Sequence, residues 1–239
     1  TDNLTVTVDY WNYDFDNPIV LEDFNALVTA YSSGGAAKAA VQEQIFCTNA
    51  GNDGSCAASG IERIVVQSVN GPSIETSGVD VFVNYILDSS VGQFTFGADV
   101  SHTLQYEQDE YVKNGAVVQE SYDAAGFLNA GRGARPLPDT KGRVFGEYTL
   151  ENHNVLLYVN HTSEYEDERY ANTTVDSQTT YDLHYRLNLF DDSTALTFSA
   201  INFTDEQAPL ARVDLGYDAY THNSFGAMYK VGIEYRMGQ

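Results

Sequence analysis

The chain has 239 residues, with 34 acidic and 12 basic side chains and a formal charge of −22. That balance excludes a nucleic-acid binder, which needs a basic footprint, and a protein docked on an anionic membrane surface. No run of about 18 apolar residues occurs, so no membrane-crossing helix is expected, although strands with an uncharged outer band could still span.

Residues 3–15 alternate, placing Leu4, Val6, Val8 and Tyr10 on one face, as the two-residue period of a strand requires. Residues 21–31 and 36–46 are rich in helix formers and are separated by SSGG, which predicts two short helices inside a long loop. Cys47 and Cys56 bracket a Gly/Asn/Asp-rich stretch. Two such thiols read as a local disulfide formed in an oxidising compartment, the alternative being unlinked surface thiols. No His or further Cys lies nearby to complete a four-ligand metal site.

The second strand is expected over 62–87, where Val79, Val81, Val83, Tyr85 and Leu87 share a face. The third, 92–108, sets Phe94, Phe96, Ala98 and Val100 against polar and small residues. The fourth, 141–150, presents Val144, Gly146, Tyr148 and Leu150 together, and the fifth, 154–163, has the apolar run Val155, Leu156, Leu157, Tyr158 that leaves its faces ambiguous. The sixth, 178–190, opposes Tyr181, Leu183, Tyr185, Leu187 and Leu189 to Asp182, His184, Arg186 and Asn188. The seventh, 194–203, changes phase near Ala200 and Ile201, which predicts a bulge. The eighth, 227–237, places Tyr229, Val231, Ile233, Tyr235 and Met237 opposite Lys230, Gly232, Glu234 and Arg236.

Short connections (88–91, 151–154, 191–193) alternate with long ones (16–61, 109–140, 164–177, 204–224). Successive hairpins therefore put every short turn at one end of the sheet and every long loop at the other, the asymmetry of outer-membrane barrels. A tilted membrane strand needs about 9–11 residues, and soluble strands average about 5–6. The third and sixth segments suit the membrane. The 17 Tyr and 12 Phe suit interfacial girdles. The expected fold is all-β: an antiparallel meander of about eight long strands, part of a large transmembrane β-barrel, with short helices in one long external loop. A soluble or surface-displayed β-sandwich binding carbohydrate or protein is the alternative. It predicts Phe94, Phe96, Leu183, Tyr185, Val231 and Ile233 in a protein core. A small self-closing barrel would instead pair the first strand with the eighth.

The residues give little sign of catalysis. His102, His153, His161, His184 and His222 are scattered, with no closely spaced zinc pair. Glu164, Glu166, Asp167 and Glu168 lack the calcium-loop pattern and read as a solvated acidic loop. Gly131, Arg132 and Gly133 precede a strand rather than a helix, so they do not form a phosphate cradle. Asp182, His184 and Arg186 share a strand face without an adjacent nucleophile. No catalytic, metal or cofactor site is expected. Asp182, His184, Arg186, Lys230, Glu234 and Arg236 are expected to line a wet lumen, with Asp182 and Arg186, and Lys230 and Glu234, as opposite charges on one face.

Several stretches taken in order carry a family likeness: NLTVTVDYWNYDFDNPI at the start, IVVQSVNGPSIETSGVDVFVNY at 64–85 and LPDTKGRVFGEYTL at 137–150. They continue with TYDLHYRLNL at 180–189, INFTDEQAPL at 201–210 and GYDAYTHNSFGAMYKVGIEYRM at 216–237. Together they resemble the end of a TonB-dependent outer-membrane receptor of Gram-negative bacteria. The resemblance implies a barrel of about twenty-two strands filled by an N-terminal plug. Residues 1–239 would be the C-terminal part, with the plug and earlier strands absent. It further implies active import of a scarce nutrient (saccharide, peptide or siderophore-like) captured at the external loops. The implied partners are the TonB complex, through the missing N-terminal region, the barrel-assembly machinery, through the terminal strand, and outer-membrane lipid. The acidic loops favour neutral or cationic ligands. Two departures stand out: the chain ends Met237, Gly238, Gln239 rather than on an aromatic, and Asn202 is followed by Phe203, Thr204 and Asp205.

Overall fold

A computed structural model describes residues 3–48, 56–190 and 193–236. Eight long strands form the main path of one antiparallel sheet in simple meander order. They are β1 (Leu4–Phe15), β2 (Ile74–Ser89), β3 (Gly92–Gln108), β4 (Thr140–Leu150), β5 (His153–Thr162), β6 (Gln178–Leu189), β7 (Thr194–Ile201) and β8 (Met228–Tyr235). Alternation located all of these except β2 to within a few residues, because each has two chemically distinct faces.

The register extends that distinction across the whole sheet. One row runs Leu4, Tyr85, Phe96, Gly146, Leu157, Leu183, Ala200, Tyr229. A row on the opposite face runs Thr95, Glu147, Leu156, His184, Ser199, Lys230. The ambiguous fifth strand is thereby resolved: Val155, Leu157 and Val159 share the apolar face, and Leu156 looks the other way. The polar face still takes aromatics where a glycine sits opposite. The Phe145 ring lies over Gly97 and the Trp11 indole over Gly78, closer than a Cβ at either glycine would allow.

No second large sheet covers the apolar face among the described residues, since the remaining sheets are two-stranded ribbons. Val231 is 82% exposed, Ile233 75% and Phe96 48%, while Phe94, Leu183 and Tyr185 are half-buried. The core that a sandwich predicts for these six residues is therefore missing. Among the described residues β1 and β8 are not paired to each other, so both keep a free edge, and the ladder of a self-closing barrel is not present.

Three local expectations are corrected. The segment 62–87 is not one strand. Ile61–Ile64 pairs with Ile45–Cys47, and Ser68–Asn70 pairs with Ile19–Leu21, both inside the first long loop. Gly71 and Pro72 break the run before β2 begins. The bulge expected near Ala200 is absent, because β7 ends at Ile201 with continuous register to β8. A bulge instead lies between Ser77 and Gly78, where β2 meets β3. The helices are α1 (Phe24–Ser33) and α2 (Gly35–Val41), the second ending earlier than expected as the chain turns through Gln42–Gln44 into Ile45–Cys47. Asp23 caps α1 by accepting a hydrogen bond from the Asn25 amide. Asp191 and Met237 to Gln239 lie outside the described residues.

The short turns cluster at one end of the sheet. The Tyr148 hydroxyl donates to the Val91 carbonyl, and the Asn152 amide donates to the Asn188 carbonyl at 2.9 Å, joining neighbouring turns. The two buried apolar clusters lie at the other end. One joins α1 and α2 to Ile45 and Val118, and the other joins Leu128, Tyr165, Val175 and Ala211. The hydrophobic core thus belongs to the long loops rather than to the sheet.

Candidate functional site

The four long loops (16–73, 109–139, 163–177, 202–227) leave one end of the sheet and pack on one another. The first two are joined around Glu22, whose side chain is fully buried. Its carboxylate accepts hydrogen bonds from Lys113 Nζ, Gln44 Nε2, the Tyr111 hydroxyl at 2.9 Å and the Gln67 amide at 3.1 Å. Burial pushes this carboxyl up, yet the bonds from Lys113, Gln44 and Tyr111 outweigh it and hold the group below the ordinary carboxylate range. Burial, with Glu22 beside it, raises the Tyr111 phenol well above its usual value. Cys47 and Cys56 are joined as a disulfide at the tip of the same loop, and the Tyr31 hydroxyl donates to the Cys56 carbonyl at 2.9 Å.

The third and fourth loops meet at Tyr165, which is 2% exposed. Its hydroxyl donates to Asp218 Oδ2 at 2.8 Å, and the His222 ring stacks on it with centroids 5.9 Å apart. Gln178 Nε2 donates to the Gln207 carbonyl, which turns Gln178 Oε1 toward His222 Nδ1 at 2.9 Å. His222 therefore carries its proton on Nδ1, and its buried Nε2 has no hydrogen-bond partner among the described residues. Burial pulls this imidazole below its usual range; Asp218 opposes the shift and Lys141 adds to it.

The acidic segment at 164–168 is not simply solvated. Asp167 is buried and takes a two-pronged ion pair from Arg169, at 2.9 and 3.0 Å. Those bonds hold its carboxyl below the ordinary range. Glu168 Oε1 accepts the Gly131 amide at 2.7 Å, tying the third loop to the second. The Gly131–Arg132–Gly133 turn is thus part of the packing, and Arg132 lies over the Tyr122 and Phe127 rings. No group of three or more His, Cys, Asp or Glu side chains suited to a metal is found among the described residues.

Between the second and fourth loops lies an open cavity of about 540 Å³. Leu128, Pro136 and Val213 contribute apolar wall, while Arg135, Asp214, Tyr217 and Tyr220 contribute polar groups and rings. The Arg135 guanidinium sits 4.4 Å from the centre of the Tyr220 ring. The cavity is within the range of small-molecule sites. The long loops were the expected place for ligand contacts, but no residue in them stood out beforehand. The aromatic-dense GYDAY stretch was the available signal.

Of the six polar-face candidates, Arg186, Glu234 and Arg236 form one network. Arg186 bridges to Glu234 at 3.1 Å, and Glu234 also accepts from Arg236 at 3.1 Å. His184 Nδ1 lies 2.9 Å from the Ser199 hydroxyl, and its ring meets Tyr158 edge-on. Asp182 does not pair with Arg186. It accepts from Asn160 at 2.9 Å and from the Asn202 amide at 2.7 Å. Lys230 lies beside Ser199 on the same face. A scan of protein-family models and a search of curated proteins found no match to this chain.

Proposed function

We propose that this chain is part of the barrel of an outer-membrane transport receptor, of the TonB-dependent kind its motifs resemble. In this reading the apolar face meets lipid, the polar face lines the lumen, and the long loops face outward to capture a scarce nutrient. The observation that carries it is the inversion of burial. An eight-stranded sheet leaves Val231 and Ile233 82% and 75% exposed, while its loops hold the buried clusters. In water each such aliphatic side chain forgoes roughly 1.5–3 kcal/mol of burial, whereas lipid supplies it. Tyr229 and Tyr235 flank Val231 and Ile233 on β8, as interfacial anchors would. The free edges of β1 and β8 are where the other strands of a larger barrel would pair. The Arg186–Glu234–Arg236 network would then line the lumen. Plug movement driven by TonB would gate passage, and the assembly machinery would take up the terminal strand.

The test is expression of the complete coding sequence in a Gram-negative host. The product should sediment with outer membranes, resist urea extraction and migrate faster on denaturing gels when unboiled. A soluble product with one heat-independent band would overturn the reading.

A further inference from the structure

We infer that the cavity between the second and fourth loops binds a neutral oligosaccharide, with one pyranose ring stacked on Tyr220 and its hydroxyls shared between Arg135 and Asp214; this rests on the receptor reading above. Four features of the cavity lead there.

Tyr220 is 72% exposed, and the Arg135 guanidinium lies 4.4 Å from its ring centre. A cation on one face holds the ring and leaves it as a platform. The C–H face of a pyranose is apolar and slightly positive, so it complements the negative face of an aromatic ring.

Of the charged groups lining the cavity, Asp218 is buried and already accepts from the Tyr165 hydroxyl and the Tyr220 amide. Arg135 and Asp214 both line the cavity, both are exposed, and neither has a salt bridge among the described residues. The carboxylate is a pure acceptor and the guanidinium a pure donor. Vicinal hydroxyls offer both functions to such a pair without bringing net charge into a chain of formal charge −22.

The backbone of the walls is engaged in part. The amides of Leu128 and Val213 donate to carbonyls within the loops. Those of Ala134 and Tyr220 donate to the Tyr122 hydroxyl and to Asp218. The ring faces and side chains beside them suit a sugar.

Finally, Leu128, Pro136 and Val213 offer further apolar wall, and Tyr217 adds a second ring. The cavity of about 540 Å³ lies well inside the range that holds a small ligand.

The experiment uses the complete protein purified from outer membranes, first shown to migrate as a heat-modifiable barrel. Calorimetric titration is run with maltotriose, cellotriose, xylotriose and mannotriose, and with trialanine and inorganic phosphate as the competing chemistries. Saturation of at least one trisaccharide is expected, weakened at least tenfold by Tyr220→Ala and by Asp214→Asn. Tyr220→Trp should retain binding, and Glu62→Gln, on the exposed surface of the first loop, should leave it unchanged. The inference is overturned by a folded barrel that binds none of the four sugars, by binding indifferent to Tyr220→Ala and Asp214→Asn, or by saturation with trialanine or phosphate alone. A protein that never migrates as a barrel overturns the receptor reading, and this site with it.

Discussion

Replacing Lys113 by Met should destabilise the joined first and second loops by an amount set by pH. In the wild type Glu22 is fully buried, and among the described residues Lys113 is the only cation bonded to it. Breaking a buried pair by removing one partner costs about 3–5 kcal/mol, because the remaining charge is stranded. Glu22 has one escape, which is to take up a proton. For a carboxyl of ordinary value 4.5, neutralisation at pH 7 costs about 2.5 × 1.36 ≈ 3.4 kcal/mol. The penalty is therefore capped near that figure at pH 7 and falls to about 0.7 kcal/mol at pH 5. Amide hydrogen exchange on the complete protein, corrected for intrinsic rates, reads this directly. Amides of α1 and of Tyr111–Lys113 should exchange roughly 300-fold faster than wild type at pH 7, but only about threefold faster at pH 5. Adding Glu22→Gln should recover most of the loss at pH 7. A cost that is the same at both pH values, or no recovery in the double variant, would refute the claim that a buried uncompensated carboxylate drives the effect.

Docking of the third loop on the fourth should weaken below about pH 6.5, the ordinary histidine value. The folded His222 value is depressed, so the unfolded chain binds more protons in that window and stability rises with pH. Exchange at Tyr165 and neighbouring amides should therefore quicken on acidification, and His222→Gln should flatten the profile. Val231→Arg, on the apolar face, should lower the unfolding free energy in lipid by about 2–4 kcal/mol if the residue lies near the bilayer centre. Ser199→Arg, on the polar face, should cost far less in the same denaturant titration. Gly97→Val should cost about 1–3 kcal/mol by overpacking against Phe145, and Phe145→Ala should relieve part of it in the double variant.

Legibility followed the range of the interactions. Alternation places β3 at 92–108, and the structure has Gly92–Gln108, because a half-wetted strand repeats its choice of face every second residue. The same rule misled at 62–87, where alternating residues fall in two short ribbons and Gly71 and Pro72 mark the true break. Spacing puts Asp182 and Arg186 on one strand face as opposite charges. The lateral register instead brings Glu234 to Arg186, and that register depends on the neighbouring strands. The loop contacts were the least readable. Nothing periodic links Tyr165 to Asp218, or Arg135 to Tyr220, since each pair joins different loops through contacts that local patterning does not constrain.

The nested ribbons of the first loop change the problem of bringing β1 to β2. Closing a long flexible loop in one step delays folding, because chain entropy is lost before any contact is gained. Here Phe15 faces Ile74, then Ile19 faces Asn70, then Ile45 faces Ile64, with Cys47 bonded to Cys56 beyond them. Each ladder holds the next pair close, so closure can advance from the tip inward in small steps. This nesting predicts that the segment most separated in sequence from its partner strand is delivered by a zipper. The expected order of assembly is tip, ribbons, then β1 on β2, and pulse-labelled hydrogen exchange should protect Ile45–Cys47 before Leu4–Phe15.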